Sequence, residues 1–278
     1  MQEKILKIGH SPDADDAFMF YALAKGFVKI DGYEIRHVVE DIQSLNMRAL
    51  KSELEVTAIS AAVYPFIAND YWILNSGASV GRKYGPILVS KKAMGWENLK
   101  GKKIGIPGKQ TTAFLLLKIF LEDFEPVEMD FKEVIPAVLS GKVEAGLVIH
   151  EGQLEFHSFG LHKCFDLGEQ WFSQYHLPIP LGLDIVRKDI GLETAKKIQD
   201  ALMKSIKFAR SNLEGALEYA AEFGRGTQPK VLEKFIGMYV NEDTVDLGSE
   251  GKVALETLFA KGVEKSFFSS VPALEIIS

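Results

Sequence analysis

Short apolar runs alternate along this chain with helical patterns that begin on small, hydroxyl or acidic residues. Residues 56–59 lead into Ser60, and residues 104–106 lead into the pair Thr111 and Thr112. Apolar runs of this length between helical patterns are typical of β–α units whose sheet is covered on both faces. The chain is therefore predicted to be an α/β protein, and polar residues that follow its strands are candidates for a ligand site.

His150 is the strongest functional candidate. It follows the apolar run 145–149, which is predicted to be a buried strand. Its imidazole is thus placed at the carboxyl end of a strand, where open α/β sheets present their ligand crevice. A histidine that only caps or packs against the strand end is the alternative. Glu151 comes next and is a candidate to orient His150, although adjacent residues often point apart.

The composition argues against several classes of protein. Of 278 residues, 47% are hydrophobic and 25% are charged, with a net charge of −6, as in ordinary globular chains. Lys and Arg do not cluster with aromatic residues, so no nucleic-acid partner is expected. There is no run of about 18 apolar residues and no apolar signal segment, so we expect a cytoplasmic protein without a membrane partner. Cys164 is the single cysteine, which leaves too few thiolates for a metal site.

Acidic residues precede the first helical pattern. Ser11, Asp13, Asp15 and Asp16 lie just ahead of the apolar positions in residues 18–23. Their first expected role is to cap the helix and to complement its dipole. Catalysis and binding of a divalent cation are the alternatives, but nothing in the sequence completes a metal ligand set. No metal is therefore expected.

Two further segments have features of an anion site. The loop 77–85 combines glycines with two cations, of which Arg82 or Lys83 is a candidate to hold a carboxylate; a flexible, solvated loop is the alternative. Thr111 and Thr112 precede a helical pattern, and the amides of a helix start favour a carboxylate or phosphate. The residue spacing of a Walker loop is absent. At least one of the two threonines is expected only to cap the helix.

The chain changes character near residues 90 and 180. Residues 96–103 are polar and turn-rich, and residues 177–182 are stiffened by prolines. We therefore predict two lobes around a central cleft, the first formed by residues 1–90 and 181–278 and the second by residues 91–180. This path places candidate residues on both walls, with Ser11, Asp16, Ser60 and Arg82 on one and Thr111, Thr112 and His150 on the other. The helical patterns near the carboxyl terminus offer a candidate face for a homodimer.

Several of these segments are motifs of a known family: Ser11-Pro12 with residues 16–23, and residues 40–42, 81–86, 107–113, 144–151, 166–168 and 177–182. On them the chain resembles, over nearly its whole length, the menaquinone-biosynthesis family of the futalosine route. The resemblance implies the two-lobed fold of type II periplasmic binding proteins. The Ile-His-Glu motif that contains His150 is the most specific of these features.

The resemblance also assigns roles to individual residues. The proton acceptor of the family falls on His150, the substrate-contacting hydroxyls on Thr111 and Thr112, and a further substrate segment on Ala58, Ile59 and Ser60. Ser11, Asp16 and Arg82 complete the expected substrate site.

Two departures from the family pattern affect the expected substrate. Asp13-Ala14-Asp15-Asp16 stands where many members have Cys-Pro-Asn-Asp, which adds negative charge. Ala58 stands where a lysine is expected, which removes a cation that Arg82 or Lys83 would have to replace.

The implied reaction converts cyclic dehypoxanthinylfutalosine, a small carboxylate, to 1,4-dihydroxy-6-naphthoate with loss of a three-carbon fragment and without a cofactor. This is carbon–carbon lyase chemistry, in which a base removes a proton, a carbon–carbon bond breaks and the ring becomes aromatic; a neutral imidazole suits that step. Two alternatives stay open. One is a binding protein of the same fold that captures a small carboxylate, and the other is a chorismate dehydratase or a relative with a shifted substrate.

Overall fold

The chain folds into two β-sheets covered by helices, as seen in a computed structural model that describes residues 3–224 and 226–278. The strands are β1 (Lys4–His10), β2 (Tyr33–Val39), β3 (Val56–Ser60), β4 (Tyr71–Leu74), β5 (Ser79–Gly81), β6 (Ile87–Ser90), β7 (Lys103–Ile106), β8 (Glu125–Glu128), β9 (Ala145–Val148), β10 (His162–Asp166), β11 (Ile179–Arg187) and β12 (Ile276–Ile277). The helices are α1 (Ala14–Ala24), α2 (Ile42–Ala49), α3 (Tyr64–Ile67), α4 (Trp96–Leu99), α5 (Thr112–Phe120), α6 (Val134–Ser140), α7 (Gly152–Glu155), α8 (Leu167–Tyr175), α9 (Leu192–Ser211), α10 (Leu213–Ala221), α11 (Pro229–Tyr239), α12 (Glu242–Val245) and α13 (Gly248–Glu264). Short 3₁₀ turns occupy Ala61–Val63, Phe131–Glu133, Phe156–Phe159 and Lys188–Ile190.

The first sheet has the strand order β12-β4-β11-β3-β1-β2, and β5 pairs with β11 beside this row. Strand β1 runs parallel to β2 and β3, whereas β11 runs antiparallel to β3 and β4. The register places Gly182 opposite Ser60 and Asp184 opposite Ala58. The long strand β11 thus brings the returning chain next to the strand that carries the predicted substrate segment.

The second sheet has the order β10-β6-β9-β7-β8. Its centre is parallel, because β7 pairs in parallel with both β8 and β9, and β6 joins β9 antiparallel. Strand β9 ends at Val148, one residue before the predicted end at residue 149, so His150 lies two residues beyond it. The two-lobed α/β fold expected from the sequence is confirmed.

The chain crosses between the two sheets twice, once between β5 and β6 and once between β10 and β11. Strand β6 pairs with β9 and β10 and therefore belongs to the second sheet, although the predicted boundary at residue 90 follows it. The chain returns at the start of β11, at Ile179. The apolar pattern of β6 predicts a strand but not its partners, which explains the difference. Residues 1, 2 and 225 of the predicted first lobe lie outside the described residues.

Helices from the carboxyl-terminal part complete the first lobe. Helix α9 packs with α1 against the first sheet, where Leu6, Ile8, Phe18 and Ile206 are almost fully buried. A second core includes Tyr64, Trp171 and Phe259 and extends to α5. Within the described ranges, no helix has both the length and the apolar character needed to cross a membrane. These cores fix the sheet edges that frame the cleft.

Candidate active site

A cleft with about 720 Å³ of empty space, counting its open mouth, lies where polar residues after β1, β3, β7 and β9 meet. Seven residues predicted for the site line it: Ser11, Asp16, Ala58, Ile59, Ser60, Thr111 and Thr112. They come from both lobes, as the predicted path of the chain requires. The walls are completed by residues that include Asp13, Asp15, Ser79, Ile149, Gln153, Phe235 and Tyr239.

One end of the cleft is built around the start of α5. The Thr111 hydroxyl caps this helix by accepting from the amide of Phe114 at 3.2 Å, and it donates to the carbonyl oxygen of Gly108 at 2.8 Å. The Thr112 hydroxyl donates to the carbonyl of Leu181 at 2.7 Å and accepts from the amide of Ala62 at 3.1 Å. Each hydroxyl proton is therefore already donated to the protein. Thr112 links the two lobes as well as lining the cleft.

The amides of the first turn of α5 complete this end. Among the described residues, no protein acceptor faces the backbone amides of Thr112 and Ala113, both of which line the cleft. Helix starts combine such amides with a partial positive charge. This end of the cleft is suited to an anionic group of a ligand.

Another part of the cleft carries buried carboxyl groups from the start of α1. Asp16 accepts from the amide of Ser11 at 2.6 Å, yet burial raises its pKa to about 7. Burial, and next the charge of Asp16, raise the pKa of Asp15, which accepts from the Ser79 hydroxyl at 3.4 Å. Desolvation opposes the ionised form of each group more strongly than the amides stabilise it. This wall therefore holds protons near neutral pH.

Asp184 lies behind that wall on β11. It is 1% exposed, and neither of its carboxyl oxygens has a hydrogen-bond partner in the described part of the chain. Burial, and next the charge of Asp16, raise its pKa well above the usual value. A bare carboxylate is costly in such a place, so Asp184 is held in its neutral form.

His150 stands beside the cleft and does not line it directly, although Ile149 and Gln153 on either side do. Its Nδ1 accepts from the amide of Gly152 at 3.1 Å, which places the proton of the neutral ring on Nε2. The ring also meets the edge of Phe131, with centroids 5.2 Å apart. The resting imidazole is therefore a hydrogen-bond donor at Nε2.

Glu151 contacts both His150 and the first lobe. One carboxylate oxygen is 3.8 Å from His150 Nδ1, and the other accepts from the amide of Ala14 at 3.4 Å. The residue is 2% exposed. Glu151 thus ties the histidine segment of the second lobe to the start of α1, a link that neighbouring positions in a sequence do not reveal.

Arg82 is the one substrate-binding candidate that the structure places elsewhere. Its guanidinium forms two hydrogen bonds of 2.7 Å with Asp243 and one of 2.8 Å with Glu250. Lys83 lies over the ring of Phe172, 4.6 Å from its centroid. Neither side chain lines the cleft. Asp243 is buried and needs a cationic partner, so Arg82 pairs with it and is not placed to hold the carboxylate of a ligand.

Sequence reasoning missed Gln153 and Tyr239. The Tyr239 hydroxyl donates to Gln153 Oε1 at 2.9 Å and bridges the two lobes inside the cleft. Phe235 lies one turn before Tyr239 on α11, and in a sequence apolar residues at this spacing predict the buried face of a helix, not a ligand site.

No three His, Cys, Asp or Glu side chains of the described residues are arranged as metal ligands.

This cleft between two α/β lobes defines the class of the protein, which has a periplasmic-binding-protein-like fold. An alkanesulfonate-binding protein of Xanthomonas axonopodis shares it with a TM-score of 0.76 and 13% identity, covering 100% of this chain and 97% of that one. Residues 6–264 match the model of a family described as menaquinone biosynthesis. The chain belongs to this family, which confirms the resemblance seen in the sequence.

Relatives agree with this membership over almost the whole chain. A 1,4-dihydroxy-6-naphthoate synthase of Streptomyces coelicolor is 36% identical over 281 residues, covering 99% of this chain and 97% of that protein. The synthase of Thermus thermophilus is 34% identical over 267 residues, with coverage of 96% and 97%. A protein of Archaeoglobus fulgidus with a crystal structure is 45% identical and has a TM-score of 0.92, covering 95% of this chain and 98% of that one. The protein is therefore an enzyme of menaquinone biosynthesis.

Proposed function

We propose that the protein is a 1,4-dihydroxy-6-naphthoate synthase, a carbon–carbon lyase that acts on cyclic dehypoxanthinylfutalosine. The observation that carries this proposal is the polarity of the cleft, which pairs hydrogen-bond donors at α5 with protonated carboxyl groups at α1. The substrate has a carboxylate to anchor and a bond to break by proton transfer. Two relatives with this name match nearly the full chain and support the same reaction.

The substrate carboxylate is proposed to bind at the start of α5. No Lys or Arg among the described residues lines the cleft. The substrate carboxylate is instead held by the amides of Thr112 and Ala113 and by the hydroxyl of Ser60. A helix start stabilises an anion through its dipole and its amides. Since the hydroxyls of Thr111 and Thr112 already donate to the protein, these residues act through their place in the helix.

Acid–base catalysis is proposed to use His150 beside the cleft and the carboxyl groups at the start of α1. His150 removes the substrate proton at Nε2 in its other tautomer, which forms when Nε2 loses its proton to solvent and Nδ1 gains one from solvent. Glu151, 3.8 Å from Nδ1, is placed to stabilise that tautomer once the bond from Gly152 is released. The neutral carboxyl of Asp16 donates a proton to the fragment that leaves. Positioned acids and bases of this kind typically contribute about 10²- to 10⁴-fold to the rate.

The test is product identification by mass spectrometry. Purified protein is incubated with cyclic dehypoxanthinylfutalosine and, separately, with chorismate. We expect naphthoate from the first substrate and no change in the second. His150→Ala should lose at least about a hundredfold in kcat, whereas His157→Ala, a nearby exposed control, should retain activity. Unchanged turnover of His150→Ala refutes its role as base, and conversion of chorismate instead refutes the proposed substrate.

The cytoplasmic location and the homodimer stay predictions. Light scattering during size-exclusion chromatography measures the mass of the particle and tests the dimer directly.

A further inference from the structure

A buried asparagine lies beneath the part of the cleft where the substrate carboxylate is proposed to bind, at Ser60 and the start of α5. Asn46 is on α2 in the first lobe and is fully buried. Its Oδ1 accepts from the backbone amide of Ser60 at 2.8 Å, and its Nδ2 lies 3.0 Å from the Ser60 hydroxyl. The same Nδ2 donates to the carbonyl of Gln110 at 3.4 Å. One side chain thus contacts Ser60 twice and the second lobe once.

These partners fix the orientation of the Asn46 amide. The backbone amide of Ser60 can only donate, so it must face Oδ1. The carbonyl of Gln110 can only accept, so it must face Nδ2. The Ser60 hydroxyl therefore accepts from Nδ2 and keeps its own proton for another partner.

That proton is available to a ligand. Ser60 is 4% exposed and lines the cleft, and its hydroxyl donates to no acceptor among the described residues. A hydroxyl that already accepts from an amide presents its proton to an incoming anion with little reorientation, which is how preorganised donors gain strength. Asn46 thereby sets the direction of the Ser60 hydrogen bond.

Helix α2 also holds the second lobe at the same point. Gln43 Oε1 accepts from the amide of Gln110 at 3.3 Å, so Gln43 and Asn46 bind both sides of residue 110. Gly108 packs so closely on Gln43 that a Cβ there would overlap its side-chain oxygen. These contacts of Gln43 and Asn46 hold the start of α5 beside Ser60, so that hydrogen-bond donors from both lobes form one subsite.

We propose that Asn46 is a positioning residue that orients the Ser60 hydroxyl as a donor to the substrate carboxylate. The proposal rests on the proposed function for the identity of the substrate, but its anion subsite can be tested with a simpler carboxylate. Asn46→Asp is isosteric and keeps an acceptor for the Ser60 amide. It replaces the donor at Nδ2 by an acceptor, so the Ser60 proton turns away from the cleft.

The probe is 2-naphthoate, with neutral 2-naphthamide beside it, and binding is measured by calorimetry. Asn46→Asp should weaken 2-naphthoate binding by about 10- to 100-fold, as expected for one hydrogen bond to a charged group, and 2-naphthamide binding by less than about threefold. In turnover, KM should rise by a similar factor with kcat nearly unchanged, because the anchored group does not react. Asn241→Asp makes the same exchange at the cap of α12, at a residue that does not line the cleft, and should leave both affinities unchanged.

A double variant separates positioning from simple charge repulsion. If Asn46 acts through the Ser60 hydroxyl, Asn46→Asp should cost little more in a Ser60→Ala background; an additive loss would overturn the proposal. Asn46→Ala in the same two backgrounds gives the same test should the aspartate variant not fold.

The remaining outcomes distinguish the two proposals. Wild-type affinity for 2-naphthoate in Asn46→Asp, or no binding by the wild type, overturns the positioning role. Loss of 2-naphthoate binding in Asn46→Asp, in a protein that does not convert cyclic dehypoxanthinylfutalosine, supports the positioning role and refutes the proposed function.

Discussion

His10 ends β1 directly before the cleft, and its ring is 1% exposed. Its Nδ1 lies 3.1 Å from the carbonyl oxygen of Ser11, so Nδ1 carries the proton, and its Nε2 accepts from His37 Nδ1 at 3.1 Å. Burial, and next the neighbouring His37, lower the pKa of His10 to about 4. A neutral pair of rings is therefore built into the fold beside the site.

We expect acid to destabilise the protein through this residue. In the unfolded chain the imidazole takes up a proton below its ordinary pKa of 6.5, whereas the folded state excludes that proton until about pH 4. Stability present at pH 7 is therefore lost as the pH falls through this window. Relative to pH 7, the free energy of unfolding should fall by about 2 kcal/mol at pH 5 and about 3 kcal/mol at pH 4 from His10 alone.

The assay compares urea unfolding of the wild type and His10→Phe at pH 7, 6, 5 and 4. Phenylalanine preserves the stacking on Phe20, where the ring centroids are 4.9 Å apart, and cannot titrate. The stability difference between the two proteins should shift by about 3 kcal/mol in favour of the variant between pH 7 and pH 4. His162→Phe, at an exposed position, should follow the wild type. A difference between wild type and His10→Phe that stays constant across the range would refute the reasoning.

Three further outcomes are expected near the cleft. Burial raises the pKa of Asp16 to about 7, so kcat/KM of the wild type should fall above that pH. Asp16→Asn should abolish this fall in the pH profile. A fall that persists in the variant contradicts the role of Asp16 as the acid. Arg82→Ala should lower the free energy of unfolding by about 1–3 kcal/mol, because it leaves the buried Asp243 without its partner, and should leave KM within about threefold; a large rise in KM would place Arg82 in the site. Gly77→Ala should destabilise by several kcal/mol, by an order-of-magnitude argument from strain and overlap, since residue 77 has φ +98° and its Cβ would overlap Asp184; a soluble variant with an unchanged melting temperature contradicts this.

Some corrections to the sequence interpretation have one cause. The segment 77–85 was predicted to be a loop, but it contains β5, which is only three residues long and pairs with β11 far along the chain. Arg82 was predicted to face a ligand, but it pairs with Asp243, 161 residues away. A short segment with glycines and cations looks the same in a sequence whether it is solvated or paired.

The sequence by itself determined the local helices and strands, and it determined which polar residues follow each strand. Alternating apolar runs predict strands, and Asp41, Thr111 and Asp166 each accept from an amide at the start of the next helix. Such signals are visible because a cap and a period involve residues about four positions apart. The placement of Ser11, Ser60 and Thr111 at one cleft follows from the same rule, since these residues follow strands.

Only the tertiary structure decided what these residues do there. In the folded protein, the hydroxyls of Thr111 and Thr112 donate their protons to backbone carbonyls. Asn46 lies under Ser60, and Asp184 is buried behind the wall that contains Asp16. Each of these outcomes depends on partners brought close by sheet register and by the packing of two lobes. The direction of a hydrogen bond and the charge of a buried carboxyl are properties of that assembled environment, and no single stretch of sequence contains it.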